Sequence, residues 1–179
     1  MQGAAGKCRR GANFAMPLER FDMQGWDKTY AVNVRGAFLM CKLLVAQLEA
    51  GARASGRRSS IINVASIDGL RTPPMDTFAY SSGKAAVVHL SEVLAGKFGA
   101  EGRPVNVNAV CPGAFPSRMM RQTLIDAGDE AMRRGTAVGR IGTPEDAAGV
   151  ALFLSSRAAE FVTGATLVFD GGALRLPRL

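Results

Sequence analysis

Histidine and cysteine are scarce in this sequence of 179 residues, which contains one His and three Cys. Cys8, Cys41 and Cys111 form no CxxC pair and are too few for a disulfide scaffold. We therefore expect a reducing compartment, with Cys41 and Cys111 buried because they lie in apolar runs. The single histidine, His89, cannot build a metal site or a catalytic triad without partners. We expect no metal site, and His89 on a helix surface or at the edge of the core.

Aromatic residues are also few, at 7% of the chain, and no apolar stretch reaches the ~20 residues needed to cross a bilayer. The net charge of +7 comes from scattered basic residues with no aromatic residues between them, unlike a base-stacking surface. We expect neither nucleic acid nor membrane as a partner. A phosphate-bearing cofactor or an acidic carrier protein fits the charge better. We expect a cytoplasmic protein, although the first 18 residues lack acids and leave organelle targeting open.

Short apolar runs alternate with helical segments along the chain. The run "SSIINVASI" predicts a buried strand of a parallel sheet, and "PVNVNAVCPGAF" and "GATLVFDGG" predict two further strands. The predicted helices are a long one over Asp27–Leu48, a second over Tyr80–Phe98, shorter stretches at 117–126 and 129–134, and one capped by Thr143 with Pro144 in its first turn. This alternation predicts right-handed βαβ units in one compact α/β domain.

Tyr80 and Lys84 lie one turn apart at the start of the second long helix, so they project from the same face. A phenol with a reference pKa of about 10 is a poor acid near neutrality, and a neighbouring ammonium is expected to lower that pKa. Ser66 follows the preceding strand, at the sheet edge where open α/β sheets bind ligands. The spacing alone is weak evidence, but the order of strand, Ser, loop, Tyr-x-x-x-Lys and "PG" strengthens it.

Six motifs in this order resemble the short-chain dehydrogenase/reductase family. They are "NV" at 33–34, "INVAS" at 62–66, "YSSGK" at 80–84, "VNVNAVCPG" at 105–113, "GRIGTPED" at 139–146 and "VTGATLVFDGG" at 162–172. Each is modest alone, and together they are specific. From about Gly11 to Gly172 the chain resembles the carboxy-terminal two thirds of a family member. It is most similar to the 3-oxoacyl-(acyl-carrier-protein) reductases of the rhamnolipid-biosynthesis type, which share "PGAFPSRM".

The resemblance implies catalytic roles for four residues. Tyr80 would donate a proton to a carbonyl oxygen that Ser66 holds. Lys84 would bind the nicotinamide ribose and lower the Tyr80 pKa. Asn33 would hold a water that connects Lys84 with solvent. The implied reaction is the NAD(P)H-dependent reduction of a 3-oxoacyl thioester or a similar ketone to an alcohol.

The resemblance also implies a cofactor and a partner. The cofactor would be NADP or NAD, with NADPH favoured, and the expected contacts are Tyr80, Lys84, Pro112, Gly113, Phe115 and Ser117. The two long helices pair between subunits in the family, so we expect a homo-oligomer.

Near the site, Met119 and Met120 fit either a substrate pocket or the core. Arg103 resembles a carrier-protein contact but is expected to be a solvated side chain, and Asp68 a turn residue.

One part of the family pattern has no counterpart in this sequence. The family opens with a strand and a Gly-rich turn, TGxxxGIG, whereas "GAAGKCRRGAN" has no strand before it and no helix after it. We therefore expect a partial Rossmann-type, doubly wound parallel sheet without its N-terminal Gly-rich βαβ half, and with an unpaired apolar edge. Residues 1–10 would be a divergent segment and 11–179 the carboxy-terminal two thirds of the domain.

The change of pattern at Arg10 and Gly11 predicts an alternative start, a splice variant or a misassembled gene. Two interpretations of function stay open. The first is an active reductase. The second is a non-catalytic, truncated fragment that binds no cofactor alone and acts only in association with a full-length subunit.

Overall fold

The computed structural model describes residues 15–117, 120, 125, 128, 130–131 and 133–177. The strands are β1 (Ser59–Val64), β2 (Val105–Pro112) and β3 (Thr166–Phe169), and the helices are α1 (Met23–Tyr30), α2 (Gly36–Ser55), α3 (Phe78–Ala100) and α4 (Pro144–Ser155). A π-helical segment, Ala31–Arg35, joins α1 to α2 without a break. The predicted helical stretches at 117–126 and 129–134 lie mostly outside the described residues.

The three strands form one parallel sheet in the order β1-β2-β3. Ser59 pairs with Val105 and Val64 with Val110, while Ala109 pairs with Thr166 on the other side of β2. The carboxyl ends of all three strands therefore lie at one edge of the sheet. Within the described residues β1 pairs only with β2, so its outer edge carries unpaired backbone groups, as predicted.

Polar caps set the helix boundaries. The Asp22 carboxylate accepts hydrogen bonds from the backbone N–H groups of Gln24 and Gly25 and begins α1. The continuous helix runs to Ser55, so it is longer at both ends than the predicted 27–48. At α4, Thr143 and Asp146 form the reciprocal bonds of a capping box, which confirms the predicted start of that helix.

Most of the core lies between the sheet and α3, and a further cluster joins Val110 of β2 to Leu154 of α4. Val87 packs against Ala109 and Cys111 at the centre, and Phe98 packs with Val107 near the other end of the strands. Cys41 and Cys111 are both buried, which confirms the expectation from their apolar neighbours. His89 is confirmed as a surface residue, with 78% of its side chain exposed. Cys8 lies outside the described residues.

Much of the surface of α2 is apolar and exposed. We call it the outer face of α2, and it comprises Phe38, Leu39, Met40, Leu43 and Leu44. On α4, Leu152 and Phe153 are also exposed. These surfaces flank the unpaired edge of β1, so the described part of the chain presents much apolar surface to solvent.

The helix Met23–Ser55 differs from expectation in one respect. Its length and composition reach the threshold for crossing a membrane, with a mean hydropathy of 1.4 over 18 residues. Length and composition of one helix do not by themselves indicate a membrane, and α2 packs against β1 as part of the α/β unit.

Candidate active site

The loop that follows β1 carries Ser66 to the carboxyl edge of the sheet. There Ser66 begins a short 3₁₀ turn over residues 67–69. Gly69 closes the turn directly against α3, because a Cβ atom at Gly69 would lie 2.7 Å from the backbone of both Lys84 and Ala85. This close approach holds the Ser66 turn beside the first turns of α3.

Tyr80 and Lys84 lie on one face of α3, as predicted, and both are mostly buried. The Lys84 ammonium lies over the Tyr80 ring, 5.5 Å from the ring centroid. It donates a hydrogen bond to the carbonyl oxygen of Val64, with 2.8 Å between Nζ and O. The two side chains therefore meet at the end of β1, next to Ser66.

The protonation chemistry of this pair differs from the expected one. Burial raises the pKa of Tyr80 above its ordinary value of 10, the hydrogen bond with Ser66 lowers it, and the nearby charge of Asp68 raises it. Burial lowers the pKa of Lys84. The expected net lowering of the Tyr80 pKa is therefore wrong for this structure, because burial outweighs the groups that favour the phenolate. The ammonium lies over the ring and binds a carbonyl, while desolvation penalises the phenolate. Tyr80 is thus a neutral phenol near neutral pH.

Asn33 reaches the same place from the π-helical segment. A π turn holds one residue more than an α turn, and such turns occur often at functional sites. The Asn33 amide donates a hydrogen bond to the carbonyl oxygen of Thr29, with 3.0 Å between Nδ2 and O. Gly83 lets α3 pack closely here, because its Cβ position is 3.5 Å from a methyl group of Val34. No signal in the sequence indicates this π turn, since the apolar spacing continues through it.

One cavity of about 680 Å³ opens at this edge of the sheet. Its walls include all eight residues that the sequence singled out: Asn33, Ser66, Tyr80, Lys84, Pro112, Gly113, Phe115 and Ser117. The volume lies within the range of small-molecule and cofactor sites. The structure therefore brings the predicted residues together, while their individual roles stay predictions.

Other cavity residues had no signal in the sequence or a different expected role. Arg71 and Met75 line the cavity from the loop before α3, and neither was predicted. Asp68, expected to be only a turn residue, also lines it and pairs with Arg71. Met120 is a cavity residue, which settles its open assignment, and Met119 lies outside the described residues. Arg103 is more than a solvated side chain, because its guanidinium forms salt bridges with both Glu49 and Glu101.

The cavity fits one end of a nicotinamide dinucleotide. The turn from Pro112 to Phe115, at the end of β2, forms a wall of small and apolar groups. The Lys84 ammonium lines the same cavity and can donate hydrogen bonds to ribose hydroxyls. No Gly-rich turn that opens a helix toward this cavity is found in the part of the chain that the structure describes. The described residues therefore fit the nicotinamide and its ribose, and supply no phosphate-binding loop.

Comparison with known proteins agrees with this geometry. The family described as enoyl-(acyl carrier protein) reductase matches residues 3–173. The chain belongs to the short-chain dehydrogenase/reductase family. This establishes the family and the Rossmann-type α/β fold that the sequence predicted.

Two curated members of the short-chain dehydrogenase/reductase family show how much of the fold is shared. The chain is 40% identical over 156 residues to the 2-(S)-hydroxypropyl-CoM dehydrogenase 3 of Xanthobacter autotrophicus, covering 84% of this chain and 58% of that protein. It is 34% identical over 163 residues to the rhamnolipids biosynthesis 3-oxoacyl-[acyl-carrier-protein] reductase of Pseudomonas aeruginosa, covering 90% and 62%. The chain thus spans about three fifths of the length of these relatives.

Solved structures of short-chain dehydrogenase/reductases give the same result. The Pseudomonas aeruginosa RhlG/NADP active-site complex superposes with a TM-score of 0.82 at 33% identity, covering 90% of this chain and 62% of that chain. The gluconate 5-dehydrogenase from Burkholderia cenocepacia, in complex with NADP and tartrate, gives a TM-score of 0.79 at 28% identity, covering 92% and 62%. The family is therefore one of NAD(P)-dependent enzymes, as predicted.

Proposed function

We propose that this chain carries the catalytic site of an NAD(P)H-dependent reductase that converts a carbonyl group to an alcohol. The observation that supports this most directly is the convergence of Asn33, Ser66, Tyr80 and Lys84 on one cavity. These residues come from three different elements, and only the fold brings them together. In this proposal NADPH is preferred to NADH, and the protein is cytoplasmic.

Tyr80 is the proton donor in this proposal. The phenol keeps its proton near neutral pH, and burial raises its pKa further, so its transfer to a carbonyl oxygen depends on stabilisation of the phenolate that forms. The Ser66 hydroxyl, whose proximity lowers the pKa of the phenol, holds the same oxygen. When bound, the nicotinamide ring supplies the hydride to the carbonyl carbon.

Lys84 and Asn33 support the proton transfer. After Tyr80 gives up its proton, the nearby ammonium of Lys84 stabilises the phenolate, because the two charges lie together in a mostly dry site. Lys84 also orients the ribose hydroxyls of the cofactor. Asn33, one helix away, holds a water through which Lys84 exchanges protons with solvent.

The proposed substrate is a 3-oxoacyl thioester or a similar ketone. The apolar walls of the cavity support an acyl chain, with Val64 and Met75 partly exposed toward solvent. The name of the Pseudomonas aeruginosa relative supports the same class, since that protein is a 3-oxoacyl-[acyl-carrier-protein] reductase.

A second candidate function rests on the unpaired edge of β1 and the outer face of α2. Here the chain is a non-catalytic subunit that binds cofactor only in association with a full-length subunit. In either case we propose a homo-oligomer or mixed oligomer in which α2 and α3 form the contact. This contact would bury the apolar side chains of the outer face of α2.

A titration of the purified chain with NADPH and NADH distinguishes the two candidates. Nicotinamide fluorescence and melting temperature are followed together. Saturable binding with a raised melting temperature supports the reductase, and turnover of 3-oxobutanoyl thioesters then completes the test. A chain that melts cooperatively but binds neither nucleotide contradicts the reductase and favours the non-catalytic subunit.

Variants of the two tyrosines assign the activity to the proposed site. Tyr80→Phe removes the proton donor and is expected to lower kcat at least ~100-fold. Tyr30→Phe is the matched control, because it removes the only other phenol, which donates to Ser82 outside the cavity. A Tyr80→Phe chain as active as the control would contradict the proposed role.

A further inference from the structure

An ion pair, Asp68 with Arg71, lies in the wall of the catalytic cavity. The Arg71 Nε donates to Oδ1 of Asp68, with 3.1 Å between the two atoms. Only 30% of the Arg71 side chain and 20% of the Asp68 side chain are exposed. Asp68 also raises the pKa of Tyr80 through its charge, so the pair is electrostatically close to the reacting phenol. None of the roles proposed above uses Arg71.

The bond through Nε leaves the other edge of the Arg71 guanidinium available. Within the described residues, neither Nη atom of Arg71 has a hydrogen-bond partner. Arg140 differs in this respect, since both of its Nη atoms bind the Asp146 carboxylate. The other cation of the cavity, Lys84, is bonded to Val64. Lys84 keeps further N–H donors on a compact ammonium, whereas Arg71 offers a planar pair of free donors, in a plane that Asp68 fixes.

Such a donor pair recognises a particular chemical group. A guanidinium with two parallel N–H groups binds carboxylate, phosphate or sulfonate oxygens in a bidentate manner, and this geometry gives specificity as well as energy. A neutral ketone or ester offers no such partner. The same cavity otherwise consists mostly of apolar side chains, in which a charge-assisted bond is strong.

We propose that Arg71 is a specificity-determining residue that binds an anionic group of the substrate while the substrate carbonyl lies at Ser66 and Tyr80. This inference rests on the proposed reductase function and narrows its substrate class to anionic ketones. The anion belongs either to the oxo acid itself or to the phosphate of the thioester carrier arm. Asp68 acts as a positioning residue that holds Arg71 by Nε.

The test compares matched substrates with and without the anionic group. One pair is 5-oxohexanoate and its methyl ester, and the other is 3-oxobutanoyl-pantetheine with and without its 4′-phosphate. For each pair, kcat/KM with NADPH gives an anionic-to-neutral ratio for the 179-residue chain. Arg71→Gln is expected to lower the ratio at least ~tenfold in the pair that carries the natural anion. The affected pair identifies the source of the anion.

Two further variants make the test specific. Arg57→Gln is the matched control, because Arg57 also pairs through Nε with one carboxylate, Glu160, but lies outside the cavity lining. Its ratio should equal that of the unmodified chain. Asp68→Asn keeps an acceptor for Nε and removes a competing negative charge, so it should raise the ratio. A merely structural role of the pair would lower the rates with both substrates and leave the ratio unchanged.

The outcomes separate this inference from the proposed function. Turnover of neutral and anionic substrates with ratios that Arg71→Gln leaves unchanged overturns the inference and keeps the reductase. If the chain reduces no ketone, the proposed reductase function is contradicted. Isothermal titration calorimetry with 5-oxohexanoate and with 4′-phosphopantetheine then tests directly whether Arg71 binds an anion. Binding lost in Arg71→Gln and kept in Arg57→Gln supports the anion site. Failure of both anions to bind the unmodified chain overturns it.

Discussion

Lys84 is bonded to the last residue of β1, through a hydrogen bond of 2.8 Å between its Nζ and the carbonyl oxygen of Val64. This bond ties α3 to the sheet one turn after Tyr80. The position of the proposed proton donor is therefore fixed by the strand as well as by the helix. Since the loop after β1 also carries Ser66, disturbance of this junction is expected to affect all three residues together.

Gly69 is the most direct place to disturb that junction. Gly69→Ala puts a Cβ atom 2.7 Å from backbone atoms of Lys84 and Ala85, so the turn and α3 must separate. We expect a loss of stability of about 1–3 kcal/mol, as for other overpacked sites, and a clear fall in kcat. Gly51→Ala is the control, because no atom lies within 4 Å of its Cβ position on α2. It should stabilise the chain by about 0.5–1 kcal/mol. Urea unfolding measures both, and equal midpoints would contradict the packing argument.

The raised pKa of Tyr80 has a consequence at alkaline pH. The unfolded chain loses this proton near pH 10 and the folded chain only at higher pH, so the stability from the neutral phenol is complete below pH 10. It is lost as the pH rises through the folded pKa. Tyr80→Phe should therefore lose less stability than the unmodified chain between pH 8 and pH 11, as measured by urea midpoints. Lys84 titrates in both chains, so its contribution, of opposite sign, cancels. Parallel pH profiles would contradict burial as the cause.

Two threonines allow a comparison of a satisfied and an unsatisfied hydroxyl. The Thr143 hydroxyl caps α4 by accepting from the Asp146 N–H, and Thr143→Ala should cost about 1 kcal/mol. The Thr166 hydroxyl is buried and has no hydrogen-bond partner among the described residues. Thr166→Val should therefore stabilise the chain by up to about 1 kcal/mol. Thermal unfolding of the two variants side by side measures the opposite signs. A destabilised Thr166→Val chain would mean that the hydroxyl has a partner after all.

The outer face of α2 should control association. Met40 and Leu43 are 56% and 63% exposed, so replacing both with Lys should weaken a helix-to-helix contact between copies. Sedimentation velocity is expected to show less oligomer for the double variant at equal concentration. Leu18→Lys is the control, since Leu18 is 67% exposed on a short helix outside α2. Association of the double variant equal to that of the control would place the contact elsewhere.

Local signals in the sequence predicted much of this fold, because their causes are local. Asp22 and the Thr143 box begin helices through bonds to the next few backbone N–H groups, and the strands are short apolar runs. The meeting of Ser66, Tyr80 and Lys84 was also predictable, since their order along the chain fixes which ends of the elements face one edge of the sheet.

The errors concern quantities that depend on the surroundings in three dimensions. The spacing of Tyr80 and Lys84 indicates that they are neighbours, but the direction of the Tyr80 pKa depends on how deeply the phenol is buried. Arg71 was not predicted because its pairing with Asp68 depends on the conformation of the loop after β1. The π turn was missed because neither its residue types nor their spacing differ from those of an α-helix.

That π turn has a consequence for changes in chain length. Residues on α1 contact α3, whereas Cys41 on α2 is buried in the core, and the π turn accommodates its extra residue within about one turn of helix. Deleting one residue from Ala31–Arg35 would restore α geometry and rotate α2 very little relative to α1. Deleting one residue of α2 between Gly36 and Cys41 would instead rotate Cys41 by about 100° and take it out of the core. The π segment is therefore expected to tolerate the loss of one residue better than the first turn of α2.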